Sequence, residues 1–431
     1  MLAMLRNLRA KLSAKLNRFA DKQISEMHGL GPDDGTLKYR IIRACAAWLG
    51  IPIIVLIKLI RPIVDIRYNL VFAERIGHFP IDCELYLIER QNRRRAFPWR
   101  INLFYFYPPY CNSQLVRMYR RVFRDHAIAS ALYFCDRRFF GGKGPFATMH
   151  GRDVLESRDE ERLFARTPRS LSFTGEEEEF GISEMQRIGL DPSQPFVLFH
   201  NRDPSYLKAW ANWDTSYHDF RDCSIKNFVP AMEMTARRGH RAVRYGYQMQ
   251  EQLDHPDPRI LDYATHHRTE FLDIYLLDKC RFFVGNTAGP IMLASVLRKP
   301  SVCTNFIPIG LTHTWRGHQT IPDLFIPKLL WSKADNRMLT LREILQSGWA
   351  ALLRTEEYEK AGIEVRENSA EDILEVTEEM EQRVSDTWVA TEEDERLQRR
   401  FWDLLKADQP GYESASRIGA GFLRRHPEYL A

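Results

Sequence analysis

The chain has 431 residues, too many for one comfortable hydrophobic core, so two domains with attached segments are expected. Its composition is ordinarily globular, and a formal net charge of +4 gives no reason to expect a nucleic-acid partner. Seven cysteines (Cys45, Cys83, Cys111, Cys135, Cys223, Cys280, Cys303) are scattered and never spaced CxxC. That pattern speaks against a disulfide framework or zinc site and for buried free thiols in a reducing compartment.

The N-terminal stretch MLAMLRNLRAKLSAKLNRF is not a signal peptide. Leu2, Leu5, Leu8, Leu12 and Leu16 recur at helical spacing with basic residues between them, and Asp21 is the one acid in the first 21 positions. Next comes a run that is apolar from Ala46 to Ile60 apart from Lys58, with Pro52 inside. Such a run is short for a bilayer span. A basic amphipathic helix followed by an apolar hairpin or half-span predicts that residues 1–64 contact an anionic membrane surface from one side. The alternatives are a helix packed on the globular body and a true span, with flanking residues extending the run and Lys58 snorkelling.

Beyond it, Leu70 to Ala73 reads as a strand, Gly77 as a turn, and Ile81, Leu85 and Ile88 as a helix. INLFYFY (101–107) is a strand ended by Pro108 and Pro109, Ser113 to Arg124 a helix, ASALYFCD (129–136) another strand, and FFGGKGP (139–145) a loop or lid. From His150 to Gly189 the pattern is polar and partly helical.

A second alternating series starts with the buried strand FVLFHNRD (196–203), followed by a polar loop. NFVPAMEMTARRGH is a helix with a glycine stop, RAVRYG a strand, TEFLDIYLLDKC a helix, CRFFVGN a strand, PIMLASVL a helix and PSVCTNF a strand. Alternation of this kind implies an α/β fold with parallel sheets covered on both faces. The boundaries follow: 65–190 as one Rossmann-like domain, 191–340 as a second facing it, and 341–431 as a charged helical tail in which Ser369 and Asp372 resemble a capping box.

The corner FVGNTAGPIMLASVL has the chemistry of an anion site. Ligands of α/β domains sit at the carboxyl ends of strands, where helix N-termini offer N–H groups and partial positive charge. Gly289 permits close approach, Pro290 suits a first helical turn, and Asn286 and Thr287 either cap the helix or touch a ligand.

Gly285, Asn286, Thr287, Gly289, Pro290, Leu293, Ala294, Lys299 and Pro300 stand in an order that resembles the donor-phosphate corner of heptosyltransferase-like enzymes with the GT-B fold. RIGHFPIDCELYL (75–87) is similar to the turn that opens their acceptor domain. The segments HDFRDCSIKNFVPAM, HRAVRYG, TEFLDIYLLDKCRFFVGN and IPKLLW extend the likeness to a group of bacterial surface-polysaccharide glycosyltransferases, with a looser likeness to fucosyltransferase-like folds.

The resemblance implies a metal-independent, inverting transfer of sugar from a nucleotide-diphosphate-sugar to a glycan or lipid-linked glycan, with no cofactor. It implies a cytoplasmic protein, peripheral on the inner face of the cytoplasmic membrane. The donor would lie in the second domain, touched by Asn286, Thr287, Ala288 and Gly289. The sequence has no clear Asp-x-Asp motif, so protein cations must meet the diphosphate, and Arg202 and Arg244 are the best placed. Asn201 and Asp203 bind donor or turn the chain. Glu270 and Asp273 either accept ribose hydroxyls or serve a helix start, and Asn305 with Thr304 ends the last strand at the same crevice.

Arg75 and Gly77 belong to the acceptor turn. Where the resembling enzymes carry an Asp, this chain has His78, which acts as general base, binds acceptor or caps the helix. Asp82, one turn on, is the substitute base or the orienting partner. The departure at His78 also leaves open an inactive scaffold or glycan-binding subunit. An epimerase is disfavoured by the N-terminus and the RIGH turn.

Overall fold

The computed structural model describes residues 37–92, 99–145, 159, 161–210, 214–311, 320–405 and 416–431. The basic stretch at positions 1–21 and the start of the polar run after His150 lie outside the described residues. Two compact units divide the chain: Met1–Cys111 with Val116–Ser157, and Asn112–Leu115 with Arg158–Ala431.

The first unit is built on two parallel strands, β1 (Asp65–Phe72) and β2 (Arg100–Tyr107), paired from Asp65 opposite Arg100 to Phe72 opposite Tyr107. β1 starts five residues before the expected Leu70. Its first half alternates polar and apolar residues, and buried Asp65 is tied by its Oδ2 to Arg67 (2.9 Å) and Arg100 (2.7 Å). The helices Phe79–Asn92 and Ser113–Val122 follow the two strands, as expected.

ASALYFCD is not a strand. It lies in the helix Ala127–Phe139, capped by His126 Nδ1, which accepts the Ile128 N–H. The buried residues Ala129, Leu132, Tyr133, Cys135 and Asp136 recur at three- and four-residue helical spacing, whereas a half-buried strand would bury every second residue. The FFGGKGP loop is packed rather than open at Gly144, where a Cβ would meet the Asp136 carboxylate and the Tyr68 hydroxyl.

The apolar N-terminal run is not a hairpin but part of one 24-residue helix, Leu37–Ile60, continuous through Pro52. It packs on the helix Ala127–Phe139 and on β1, with Ile54, Ile57, Tyr68, Leu70, Leu132 and Cys135 in a common core. Each fully buried Ile there contributes about 1.5–3 kcal/mol. At Gly50 the two helices approach closely, since a Cβ would fall 2.9 Å from Cys135. Among the described residues no helix is long and apolar enough to cross a membrane.

The second unit holds a seven-stranded, wholly parallel sheet. Its strands are β3 (Phe196–Phe199), β4 (Arg241–Arg244), β5 (Ile260–Asp262), β6 (Phe283–Asn286), β7 (Ser301–Phe306), β8 (Leu324–Pro327) and β12 (Arg417–Ile418), in the order β12-β8-β7-β6-β3-β4-β5. The predicted strands and helices from 196 to 306 are present, including the helices Val229–Arg237, Glu270–Lys279 and Gly289–Val296.

The stretch after Leu341 is not wholly helical. β11 (Ile363–Arg366) joins β9 (Leu329–Ser332) and β10 (Arg337–Met338) in an antiparallel sheet, and β12 extends the main one. The Ser369–Asp372 capping box is present and opens the helix Ala370–Val384, which packs on β7, β8 and the helix Val229–Arg237. The six described thiols are free, and five are buried.

Candidate functional site

In the parallel sheet every carboxyl strand end lies on one edge. From β3 the chain moves out to β4 and β5, then returns to β6 on the other flank of β3 and continues to β7 and β8. The connections therefore diverge at β3/β6, and a crevice opens there beyond the strand ends. His200–Asp203 leave β3 at this point, and Thr287–Gly289 leave β6.

The β6 corner leads into the helix Gly289–Val296. Ala288 at its N-cap position supplies no capping side chain, Pro290 sits in the first turn, and Thr287 to Gly289 are part-exposed. The N–H groups of such a helix start have no intrahelical acceptor. Asn286 is fully buried. Its Nδ2 donates to the Arg221 carbonyl (3.2 Å), while its Oδ1 has no hydrogen-bond partner. Arg221 returns the contact, with Nε (3.1 Å) and Nη2 (2.6 Å) donating to the Thr287 carbonyl. The Thr287 hydroxyl accepts the Ile307 N–H at 3.1 Å.

Two further cations hold the same loop. Arg202 is ion-paired with Asp222 and donates to the His218 carbonyl (3.2 Å), and buried Lys328, just past β8, donates to the Asp222 carbonyl (2.6 Å). Burial, and then the neighbouring Arg221 charge, lower the Arg202 pKa to about 9. Burial also lowers that of Lys328, with Arg202 adding to the effect. Three cations thus crowd one loop at the positive end of a helix, an arrangement suited to an anion.

Arg244 is 0% exposed at the end of β4, and its Nη1 and Nη2 meet Asp262 (3.2 Å) and Asn201 (3.3 Å). Asn201 Nδ2 donates in turn to the Cys223 carbonyl. Asp203 accepts three backbone N–H groups, from Ser205, Gln250 and Glu251, which outweigh the upward push of burial and lower its pKa. Asn305, in the left-handed region at φ 49°, exchanges hydrogen bonds with Asn368.

Glu270 accepts from Ser113, and Asp273 accepts from Tyr263 (2.8 Å) and Arg268 (3.0 Å). Burial moves the Asp273 pKa up to about 6 against the pull of Arg268. Asn201, Asp203, Arg244 and Asn305 thus stand at carboxyl ends of strands and Asp273 in the helix Glu270–Lys279, and all five are engaged with protein partners.

The first unit carries the other candidates. The turn after β1 brings Arg75, Gly77 and His78 to the start of the helix Phe79–Asn92. The Arg75 carbonyl accepts from His78 and Phe79, and the His78 carbonyl accepts from Asp82 (3.0 Å). Arg75 is exposed, Gly77 and His78 are half-buried, and Asp82 is buried on the first helical turn.

Arg221, Lys328 and His200 were not singled out from sequence, although each falls inside or beside a noted segment (HDFRDC, IPKLLW, FVLFH). His200 is buried, and its Nδ1 lies 2.9 Å from the Tyr245 carbonyl, which requires the proton on that nitrogen. Burial first, then Arg244 and Arg202, lower its pKa to about 4.

No protein-family model matches the chain. No curated protein matches it either. Several solved structures are similar to it, among them the following two. One is the ADP-heptose lps heptosyltransferase II of E. coli, 12% identical, TM-score 0.35, over 55% of this chain and 84% of that one. The other is a family 9 glycosyl transferase from Veillonella parvula, 10% identical, TM-score 0.38, over 74% of this chain and 98% of that one. Both are glycosyltransferases, the kind of enzyme that the corner motif resembles. Likeness this distant leaves the functional argument to the residues of the chain itself.

Proposed function

We propose that the chain is a glycosyltransferase that moves a sugar from a nucleotide-diphosphate-sugar to a glycan or lipid-linked glycan of a bacterial surface polysaccharide. The observation carrying this reading is the uncapped helix start Thr287–Gly289 beyond β6, bonded by Arg221, whose loop Arg202 and Lys328 also hold through His218 and Asp222. The acceptor hydroxyl attacks the anomeric carbon, the bond to the diphosphate breaks, and the leaving oxygen gains negative charge. Backbone N–H groups at the corner and the Arg221 guanidinium meet that charge without reorganising. Arg202 and Arg244, each paired with an aspartate, add field rather than direct contact. In this reading the transfer is metal-independent and inverting, and His78 takes the acceptor proton.

Calorimetry with UDP, GDP, ADP, CMP and dTDP, each beside its nucleoside, tests the assignment. One diphosphate should bind well above its nucleoside. Arg221→Ala removes a charge-assisted contact of about 1.5–3 kcal/mol, so diphosphate affinity should fall roughly ten- to hundredfold while nucleoside affinity holds. Arg221→Lys should keep part of it. Equal losses for both ligands, or no diphosphate binding at all, would defeat the reading. Slow donor hydrolysis without acceptor separates an enzyme from an inactive scaffold.

A further inference from the structure

We propose that the outer stripe of the helix Leu37–Ile60, with the adjoining end of the helix Ala127–Phe139, is a docking face for an anionic lipid bilayer. The proposal is independent of the chemistry assigned to the second unit. The first helix has two apolar stripes. Gly50, Ile54 and Ile57, spaced four and three apart, face the protein core.

The residues Trp48, Val55, Leu56 and Leu59, with Ile63 just past the helix, lie on the other side and are exposed. Trp48 is 66% exposed, Leu59 72% and Ile63 71%. Phe134 and Phe139 of the neighbouring helix are also exposed, and the Trp48 and Phe139 rings lie 5.5 Å apart. The face is therefore continuous across two elements, and a contiguous apolar patch of this kind marks an interaction site.

Charge selects the occupant. Between residues 37–64 and 127–145 the sequence has one acid, Asp136, and it is fully buried. Asp65, the next acid, is buried and held by Arg67 and Arg100, with Arg61 Nε 3.6 Å from its other oxygen. The exposed charges beside the apolar stripe are Lys58, Arg61, Arg137, Arg138 and Lys143. Exposed apolar and aromatic residues ringed by cations fit an anionic bilayer, in which the rings enter the interface and the cations meet lipid phosphate. A second copy of the same face would bring like charges together. Residues 1–21, with five Lys or Arg against Asp21, would do the same.

The test is co-sedimentation of the full chain with vesicles of phosphatidylethanolamine and phosphatidylglycerol, against vesicles of phosphatidylcholine alone. The wild type should bind the anionic vesicles, more weakly as salt rises. The triple variant Leu56→Gln/Leu59→Gln/Ile63→Gln should lose about tenfold or more in binding with its melting temperature unchanged, because those side chains are solvent-facing. Lys58→Glu/Arg138→Glu should lose binding to the anionic vesicles alone.

No binding by the wild type, or undiminished binding by the triple variant, overturns the proposal. So does a wild-type dimer that the triple variant converts to monomer while vesicle binding persists, which would make a second copy the occupant. A drop of several degrees in melting temperature also overturns it, because the chain itself would then cover the face.

Discussion

Arg244 illustrates how a residue can stand at the right place and have the wrong company. It ends β4 on the ligand edge of the sheet, yet Asp262 and Asn201 enclose its guanidinium and leave no exposed surface. Arg221 is 66 positions from Thr287 in sequence and reaches the corner directly. His200 offers a pH test at the same edge. Its pKa of about 4 in the folded protein lies below the ordinary 6.5, so between these values the unfolded chain binds the additional proton. The stability from neutral His200 is complete above 6.5 and is lost as pH falls toward 4, on the order of 3 kcal/mol. Asp273 has the opposite sign. With its pKa raised to about 6 its stabilisation is present below 3.8 and is lost as pH rises through 6. Melting curves of wild type and His200→Gln should therefore diverge on acidification, the variant losing less stability between pH 6.5 and 4. Parallel curves would show that His200 is not the group that titrates.

At the scale of elements, legibility tracked whether the signal was local. The strands and helices from 196 to 306 were readable because apolar runs are punctuated by turn and cap residues: Gly239 stops a helix and Pro290 starts one. ASALYFCD failed because a short apolar run fits either period, and only its buried set, Ala129, Leu132, Tyr133, Cys135 and Asp136, settles the helix. β12 was unreadable, because two residues make a strand only when β8 offers an edge. That C-terminal element is integral to the second unit: the Ala420 N–H donates to buried Glu379, and Phe422 is 1% exposed against His426 and Tyr429. Phe422→Ala should cost about 3–5 kcal/mol in urea unfolding, the usual penalty for a deleted buried ring. A loss below about 1 kcal/mol would make the terminal helix a peripheral attachment.

At the scale of the whole molecule, the proposed labour divides between the two units. The diphosphate corner belongs to the second and His78 to the first. If His78 accepts the acceptor proton, His78→Ala should lower turnover by about 10²–10⁴-fold, while donor affinity, a property of the second unit, stays unchanged. His78→Asp should restore part of the rate, since the resembling enzymes carry a carboxylate at that turn. Full turnover in His78→Ala would pass the role to Asp82 or remove a base from this turn altogether.

The sequence by itself determined the α/β alternation and the anion-suited corner at 286–289, because hydrophobic period and turn chemistry act between near neighbours. It also determined the free thiols. Only the tertiary structure decided which cations attend the corner, since Arg221 to Thr287 and Lys328 to Asp222 close over 66 and 106 positions. It also decided which of the two apolar stripes of the helix Leu37–Ile60 is core and which faces outward. A helix apolar on both sides carries no record of which side its neighbours occupy. The core side is the one on which Gly50 lies against Cys135 and Ile54 and Ile57 pack with Tyr68, Leu70 and Leu132, contacts that exist only once the chain has folded.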